Sequence, residues 1–188
     1  MSCFWFLSIC LEERRKTAAL KEERGRGKKK DKSNVVQNSK KTPNMGTHTV
    51  REEIVEVVNK LFVYTDSQKW EEIQKDVFSP VVQFDMSSVG GENKKMKSRE
   101  ICDLWKEGFK NIDSVNHLAG NYLVEIRDPD AFVFAYATAT HYKDSATNGK
   151  TREFVGTYEI ELINETLGWR INSFKYNLKY ATGNLDLK

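Results

Sequence analysis

Residues 131–142, with the sequence AFVFAYATATHY, decide the predicted fold. The run belongs to a region in which apolar residues recur with a period of two, which is typical of β-strands. Successive side chains of a strand point to opposite faces of the sheet, and both faces of this run are apolar. A strand with one face open to water alternates apolar and polar side chains. We therefore expect both faces of this strand to be covered.

The two faces differ in side-chain size. One face carries Val133, Ala135, Ala137, Ala139 and His141, and the other carries Phe132, Phe134, Tyr136, Thr138 and Thr140. The small side chains leave room for the concave wall of a cavity, although they would also let helices pack closely with no cavity between. The aromatic face suits an interface with a second copy of the chain. The sequence thus predicts a homodimer that forms through the sheet.

The neighbouring sequence continues the strand pattern. Strands are predicted at 81–86, 115–126, 131–142, 152–163 and 168–180. The breaks between the last four are DPD, SATNG and NETLG, each rich in turn-forming residues. Long strands joined by short turns indicate an antiparallel meander.

Three helices are predicted before this strand-rich half. The first spans about 50 to 65 and starts with a capping box, with Thr49 as N-cap and Glu52 three residues on. A shorter helix ends before Pro80, and a third is capped by Ser98. The apolar stripe of the second helix is Trp70, Ile73, Val77 and Phe78, and that of the third is Ile101, Leu104, Trp105, Phe109 and Ile112. The fold class is α+β, with the helices covering one face of a curved, mainly antiparallel sheet.

The N-terminal part has a different composition. Residues 1–44 contain 12 Lys/Arg and 5 Asp/Glu, whereas 45–188 contain 18 and 22. We expect a disordered basic extension over 1–44 and one folded domain over 45–188, or else translation from Met45. The acidic body gives no electrostatic case for binding nucleic acid. The opening MSCFWFLSIC is too short to span a membrane, and a single cysteine in the body favours a reducing, cytoplasmic setting.

Asp66 and two histidines are the candidate functional residues. Asp66 lies in YTDSQKW, residues 64–70, where it either caps the second helix or continues the buried stripe of the first. The spacing leaves both interpretations open. His117 shares a predicted face with Val115, Ala119, Asn121 and Leu123. His141 is near a strand end, where we expect exposure to solvent.

The chain resembles the SnoaL-like branch of the NTF2-like superfamily. The resemblance covers about 48–180 and is carried by YTDSQKWEEIQKDVFSPVVQFDMSSVGG, by NHLAGN and by GWRINSFKYNLKY. It implies a cone with a deep apolar pocket between helices and sheet, in which Asp66 and His117 face each other. A second histidine of scytalone dehydratase would fall near Ala139, and this chain has His141 two residues on. The tyrosines that hold a water molecule in that enzyme would fall at Thr65 and Met86, so this chain lacks both of them.

The resemblance implies a function for this pocket. We expect a cofactor-independent lyase or isomerase, of dehydratase or cyclase type, in which Asp66 fixes the tautomer of His117 and the imidazole moves a proton. Phe62, Met86 and Trp70 are expected to border the pocket with Ala139 and His141, and Trp70 to anchor the second helix. The ligand would be a small apolar organic compound, with no metal and no membrane involved. A non-catalytic binding or dimerisation module of the same fold is the alternative.

Overall fold

The computed structural model describes residues 48–188, so the predictions for 1–44 lie outside the described residues. The helices are α1 (Val50–Asp66), α2 (Trp70–Glu72, continued by a π-helical turn, Ile73–Val77) and α3 (Ser98–Gly108). The strands are β1 (Phe78–Asp85), β2 (Asn93–Lys97), β3 (Ser114–Arg127), β4 (Asp130–Tyr142), β5 (Thr151–Glu165) and β6 (Gly168–Gly183). A 3₁₀ turn, Ser87–Val89, follows β1.

The strands form one curved, open sheet in the order β2-β1-β6-β5-β4-β3. Strands β3 to β6 are the predicted antiparallel meander, with ends within three residues of the predicted ones. Strand β1, which lies between α2 and α3 in the sequence, pairs in parallel with the last strand, β6. This pairing joins the helical part of the sequence to the meander. The α+β fold class is therefore confirmed.

Strand β2 was not among the predicted strands, so the predicted set was incomplete. Its sequence, NKKMK, is mostly charged, and it pairs antiparallel with β1 at the edge of the sheet. Lysines are common on edge strands because they discourage pairing with another chain. An edge strand of this composition has no apolar alternation for a sequence pattern to detect.

Helix α1 follows the prediction closely. The Thr49 side chain accepts a hydrogen bond from the Glu52 N–H, and the Glu52 carboxylate accepts from the Thr49 N–H, which completes the capping box. The buried face of the helix consists of Ile54, Val57, Val58, Leu61, Phe62 and Thr65. This buried stripe extends to Thr65 in the last turn of α1, and the helix ends at the next residue, Asp66.

The other two helices differ from their predictions. Phe78 is the first residue of β1 rather than part of a helix, and Pro80 lies within the strand. The pairing of β1 with β6 shifts register between Phe78 and Gln83, and proline is tolerated at such an irregularity because it has no N–H to donate. Ser98 is the first residue inside α3 and not its cap; the Glu100 carboxylate accepts from the Lys97 N–H at 2.9 Å.

A β-bulge in β3 changes which side chains face inward. Gly120 pairs with Tyr136 and Leu123 with Phe134, so two residues of β3 lie opposite one residue of β4. Asn121 takes the left-handed conformation there, with φ of 56°. The predicted face that grouped Asn121 and Leu123 with His117 is therefore wrong. Leu123 is 68% exposed, and Tyr122 instead turns inward to hydrogen-bond Asn59.

The small-residue face of β4 is buried against the rest of the core. Alternate residues from Ala131 to His141 are all buried, while the aromatic face is only partly covered. The core lies between this concave face and the helices. No helix within residues 48–188 combines the length and apolar character that crossing a membrane requires.

Candidate functional site

A cavity of about 100 Å³ lies between the helices and the concave face of the sheet. Its walls are mostly apolar, with Leu61 and Phe62 from α1 and Trp105 from α3 among them. The polar side chains that reach it are Thr65, His117, His141, Tyr158 and Tyr176. Sites of this kind, apolar with a few convergent polar groups, are typical of small-molecule binding.

Asp66 and His117 form a close pair. Oδ1 of Asp66 lies 2.6 Å from Nδ1 of His117, and Oδ2 accepts a hydrogen bond from the His117 backbone N–H at 2.9 Å. The carboxylate therefore turns toward β3 and does not cap α2, whose N-cap is Lys69 with no side-chain bond. The end of α1 at Asp66 places the carboxylate beside the strand, and Gln68 with φ of 52° redirects the chain.

This pair fixes the tautomer of His117. A carboxylate only accepts hydrogen bonds, so Nδ1 carries a proton, and the neutral form of this imidazole has its lone pair on Nε2. The His117 side chain is 9% exposed and its ring packs 5.4 Å from that of Phe62. Asp66 does not line the cavity itself and acts on it only through His117.

His141 is 5% exposed, so the predicted exposure near a strand end is wrong. Its Nδ1 accepts a hydrogen bond from Nε of Arg152 at 3.1 Å, and a guanidinium only donates. Burial, followed by the charge of Arg152 and then by His117, lowers the pKa of His141 to about 3. The ring is thus neutral, with its proton on Nε2.

The two imidazoles have opposite tautomers within one cavity. His117 pairs with Ala139 across β3 and β4, and His141 is two residues further along the same face. Diagonal neighbours of this kind have Cα atoms about 7–8 Å apart. Both rings line the cavity, and in the neutral forms Nε2 is the hydrogen-bond acceptor of His117 and the donor of His141.

Two tyrosines in the cavity were missed by the sequence analysis. Tyr158 of β5 and Tyr176 of β6 are paired across the strands, and their rings lie 4.9 Å apart. Burial raises the pKa of both phenols, that of Tyr176 to about 12. The alternation of Gly156, Tyr158, Ile160 and Leu162 in β5 is the signal that could have found the first of them.

The remaining candidates divide between the cavity and its surroundings. Phe62, Met86 and Ala139 line the cavity. Trp70 does not line it, contrary to the prediction; it stacks on Phe109 at 6.0 Å and borders a separate surface groove. The Thr65 hydroxyl donates to the Leu61 carbonyl at 2.7 Å. No cluster of three metal-ligating side chains occurs in the described part of the chain.

The helices and the strand order define an α+β fold of the NTF2-like kind. Residues 47–175 match the SnoaL-like domain, and the chain belongs to that family. No curated protein matches it.

Several solved structures share the fold. The protein Kfla4162 from Kribbella flavida is 23% identical, with a TM-score of 0.69 over 73% of this chain and 95% of that one. A putative scytalone dehydratase from Novosphingobium aromaticivorans is 12% identical, with a TM-score of 0.61 over 71% and 87%. A hexachlorocyclohexane dehydrochlorinase, LinA type 2, is 12% identical, with a TM-score of 0.59 over 70% and 86%.

Proposed function

We propose that this protein is a cofactor-independent lyase or isomerase that acts on a small apolar compound. The observation that carries the proposal is the Asp66–His117 pair, with 2.6 Å between Oδ1 and Nδ1, beside an apolar cavity. Two proteins with the same fold are named as a dehydratase and a dehydrochlorinase, and both names denote eliminations. Such reactions need a base at a carbon atom and a path for the leaving group.

The chemistry assigns one task to each member of the pair. Nε2 of His117 takes a proton from a carbon atom of the substrate as general base. The imidazolium that forms is stabilised by the Asp66 carboxylate, which already accepts the Nδ1–H group. In a lyase the electron pair expels a leaving group from the neighbouring carbon; in an isomerase the proton returns at another carbon. His141, as a neutral donor, is suited to the side where negative charge develops.

A generic elimination probe tests the base. Proton abstraction from 5-nitrobenzisoxazole breaks its N–O bond and releases a coloured cyanophenolate, and the reaction needs no carbonyl group. We expect His117→Ala and Asp66→Asn to lower the protein-catalysed rate about 100-fold or more. Asp103→Asn, which changes an exposed carboxylate near Arg99, is the matched control. A wild-type rate in His117→Ala contradicts the proposal, and binding of the probe without His117-dependent turnover favours a non-catalytic binding module.

The outer face of the sheet supports a second part of the proposal, a homodimer. Leu118 and Leu123 on this face are 76% and 68% exposed, beside the partly covered aromatic residues of β4. Two copies that pair through this face would remove these side chains from water. We expect the wild-type protein to sediment as a dimer and the double variant Leu118→Glu/Leu123→Glu as a monomer. A monomeric wild-type protein at micromolar concentration contradicts the pairing.

A further inference from the structure

The Tyr176 hydroxyl is buried without a partner. The side chain is 5% exposed and lines the cavity, and its hydroxyl has no hydrogen-bond partner among the described residues. Native proteins rarely leave a buried hydroxyl unpaired, and a bound ligand is one of the few explanations. Since the ring borders the cavity, a ligand there is the natural source of the missing acceptor.

Gly156 directs the Tyr176 ring toward the histidines. A Cβ atom on Gly156 would lie 2.6 Å from Cε2 and 2.7 Å from Cζ of Tyr176, so the far end of the ring covers this glycine. In the strand pairing, Tyr176 lies opposite Tyr158 of β5. Its ring leans past Tyr158 to Gly156, which is two residues nearer to Phe154 in the same strand. Phe154 pairs with Ala139, which in turn pairs with His117. The phenol therefore reaches across the sheet toward the level of His117.

The groups around the cavity favour an uncharged ligand. Burial raises the pKa of Tyr176 to about 12, so the phenol remains a donor at neutral pH. Burial and Arg152 keep His141 neutral, also with a proton to donate. The lining contains no lysine, arginine or carboxylate to pair with a charged ligand. A cavity of about 100 Å³ with these donors fits a small ring or short chain with one acceptor oxygen.

We propose that the cavity binds a small uncharged carbonyl compound whose oxygen accepts a hydrogen bond from the Tyr176 hydroxyl. The catalytic consequence rests on the proposed function. When Nε2 of His117 removes the proton next to the carbonyl, the C–H electron pair forms a C=C bond and the carbonyl π electrons move to oxygen. Tyr176 then donates to an enolate oxygen, where its hydrogen bond is strongest. Return of the proton to carbon restores the carbonyl and completes the exchange.

Cyclohexanone and methylenecyclohexane are matched probes of this bond, because they share a shape and only the ketone has an acceptor. We expect the wild-type protein to bind the ketone about tenfold more tightly. The infrared C=O band of the bound ketone is expected to shift to lower frequency. Tyr176→Phe should abolish both effects and unfold at the same or a higher temperature, because it removes only an unpaired hydroxyl.

Tyr122→Phe is the matched control. Its hydroxyl donates to Oδ1 of Asn59 at 2.6 Å and does not line the cavity, so its loss should lower stability without changing the ketone preference. Deuterium exchange at the α-carbons of cyclohexanone tests His117 separately. Tyr176-dependent binding without His117-dependent exchange would remove the proposed function and leave the ligand assignment intact. An unchanged C=O band in Tyr176→Phe, or no binding of the ketone, overturns the assignment.

Discussion

Arg152 donates a hydrogen bond from Nε to Nδ1 of His141 at 3.1 Å, and both side chains are buried. The same guanidinium donates from Nη1 to the carbonyl of Leu185 at 2.8 Å. The chain beyond β6 is held in turn by the buried side chain of Leu187. One arginine thus links the orientation of a cavity histidine to the C-terminal segment.

Replacing Arg152 should release the tautomer of His141. In Arg152→Met, Nδ1 loses the donor that it has among residues 48–188, and we expect the imidazole to populate both neutral tautomers. The Leu185 carbonyl also loses a donor, so the free energy of unfolding should fall by about 1–3 kcal/mol. Long-range ¹H–¹⁵N correlation spectra of the histidines report the tautomer, and urea unfolding reports the stability.

Arg127→Met is the control for this change, because the Arg127 guanidinium binds the exposed Glu125 carboxylate. Surface pairs of this kind contribute little, so its stability should stay within about 1 kcal/mol of wild type. If His141 keeps a single Nε2–H tautomer in Arg152→Met, the hydrogen bond does not set the tautomer.

The buried His141 should make stability depend on pH. Its pKa in the folded protein is about 3, below its ordinary value of 6.5. Between these pH values the unfolded chain binds a proton at this position and the folded protein does not. The free energy of unfolding therefore falls as the pH decreases from 6.5, by at most about 1.4 kcal/mol per pH unit from this group.

Urea unfolding between pH 4 and pH 7 measures this dependence. His141→Gln cannot titrate, so its stability should decline less steeply than that of wild type over this interval. The comparison cancels the carboxylates, which titrate in both proteins. If the free energy of unfolding of both proteins changes equally with pH, His141 binds its proton equally in the folded and unfolded states, and the expectation is wrong.

Asp66→Asn should retain the fold and change the chemistry of His117. The carboxylate accepts from both the backbone N–H and Nδ1–H of His117, whereas an amide has one oxygen for the two donors. His117 can regain the second bond only by moving its proton to Nε2, which removes the lone pair from the cavity. We expect the free energy of unfolding to fall by about 1–3 kcal/mol and turnover to be lost. The ¹⁵N spectrum should show the Nε2–H tautomer of His117. An unchanged tautomer with lost activity would place the role of Asp66 elsewhere.

Gly156→Ala should disturb the cavity directly. The added methyl would lie 2.5 Å from the Asn177 carbonyl oxygen and 2.6 Å from the Tyr176 ring, so strand or ring must move. Overpacking of this kind costs about 1–3 kcal/mol, and the ketone preference should disappear with the displaced phenol. Gly120→Ala is the control, because its new methyl has no neighbour within 4 Å. Its free energy of unfolding should stay within about 1 kcal/mol of the wild-type value. Equal stability of the two variants would mean that the strand relaxes without cost.

The meander and α1 could be predicted because their signals are local. A period of two with turn residues between the runs identifies β3 to β6, and a capping box before a helical stripe identifies α1. Edge strand β2 and the bulge in β3 could not, because one has no apolar face and the other depends on how β4 pairs. The burial of His141 also depends on the tertiary structure, since Phe109, Phe154 and Arg152 contact its ring from other segments.

The sequence by itself determined the layers of this protein, because apolar periodicity and caps act between residues close in the chain. It also placed a carboxylate at the end of α1 and a histidine on the first strand of the meander. Only the tertiary structure decided that Asp66 bonds to His117 rather than capping α2, and that Tyr176 crosses Gly156 with its hydroxyl unpaired. The physical reason is that hydrogen bonds and close contacts between distant segments depend on strand register and sheet curvature, which no local pattern encodes.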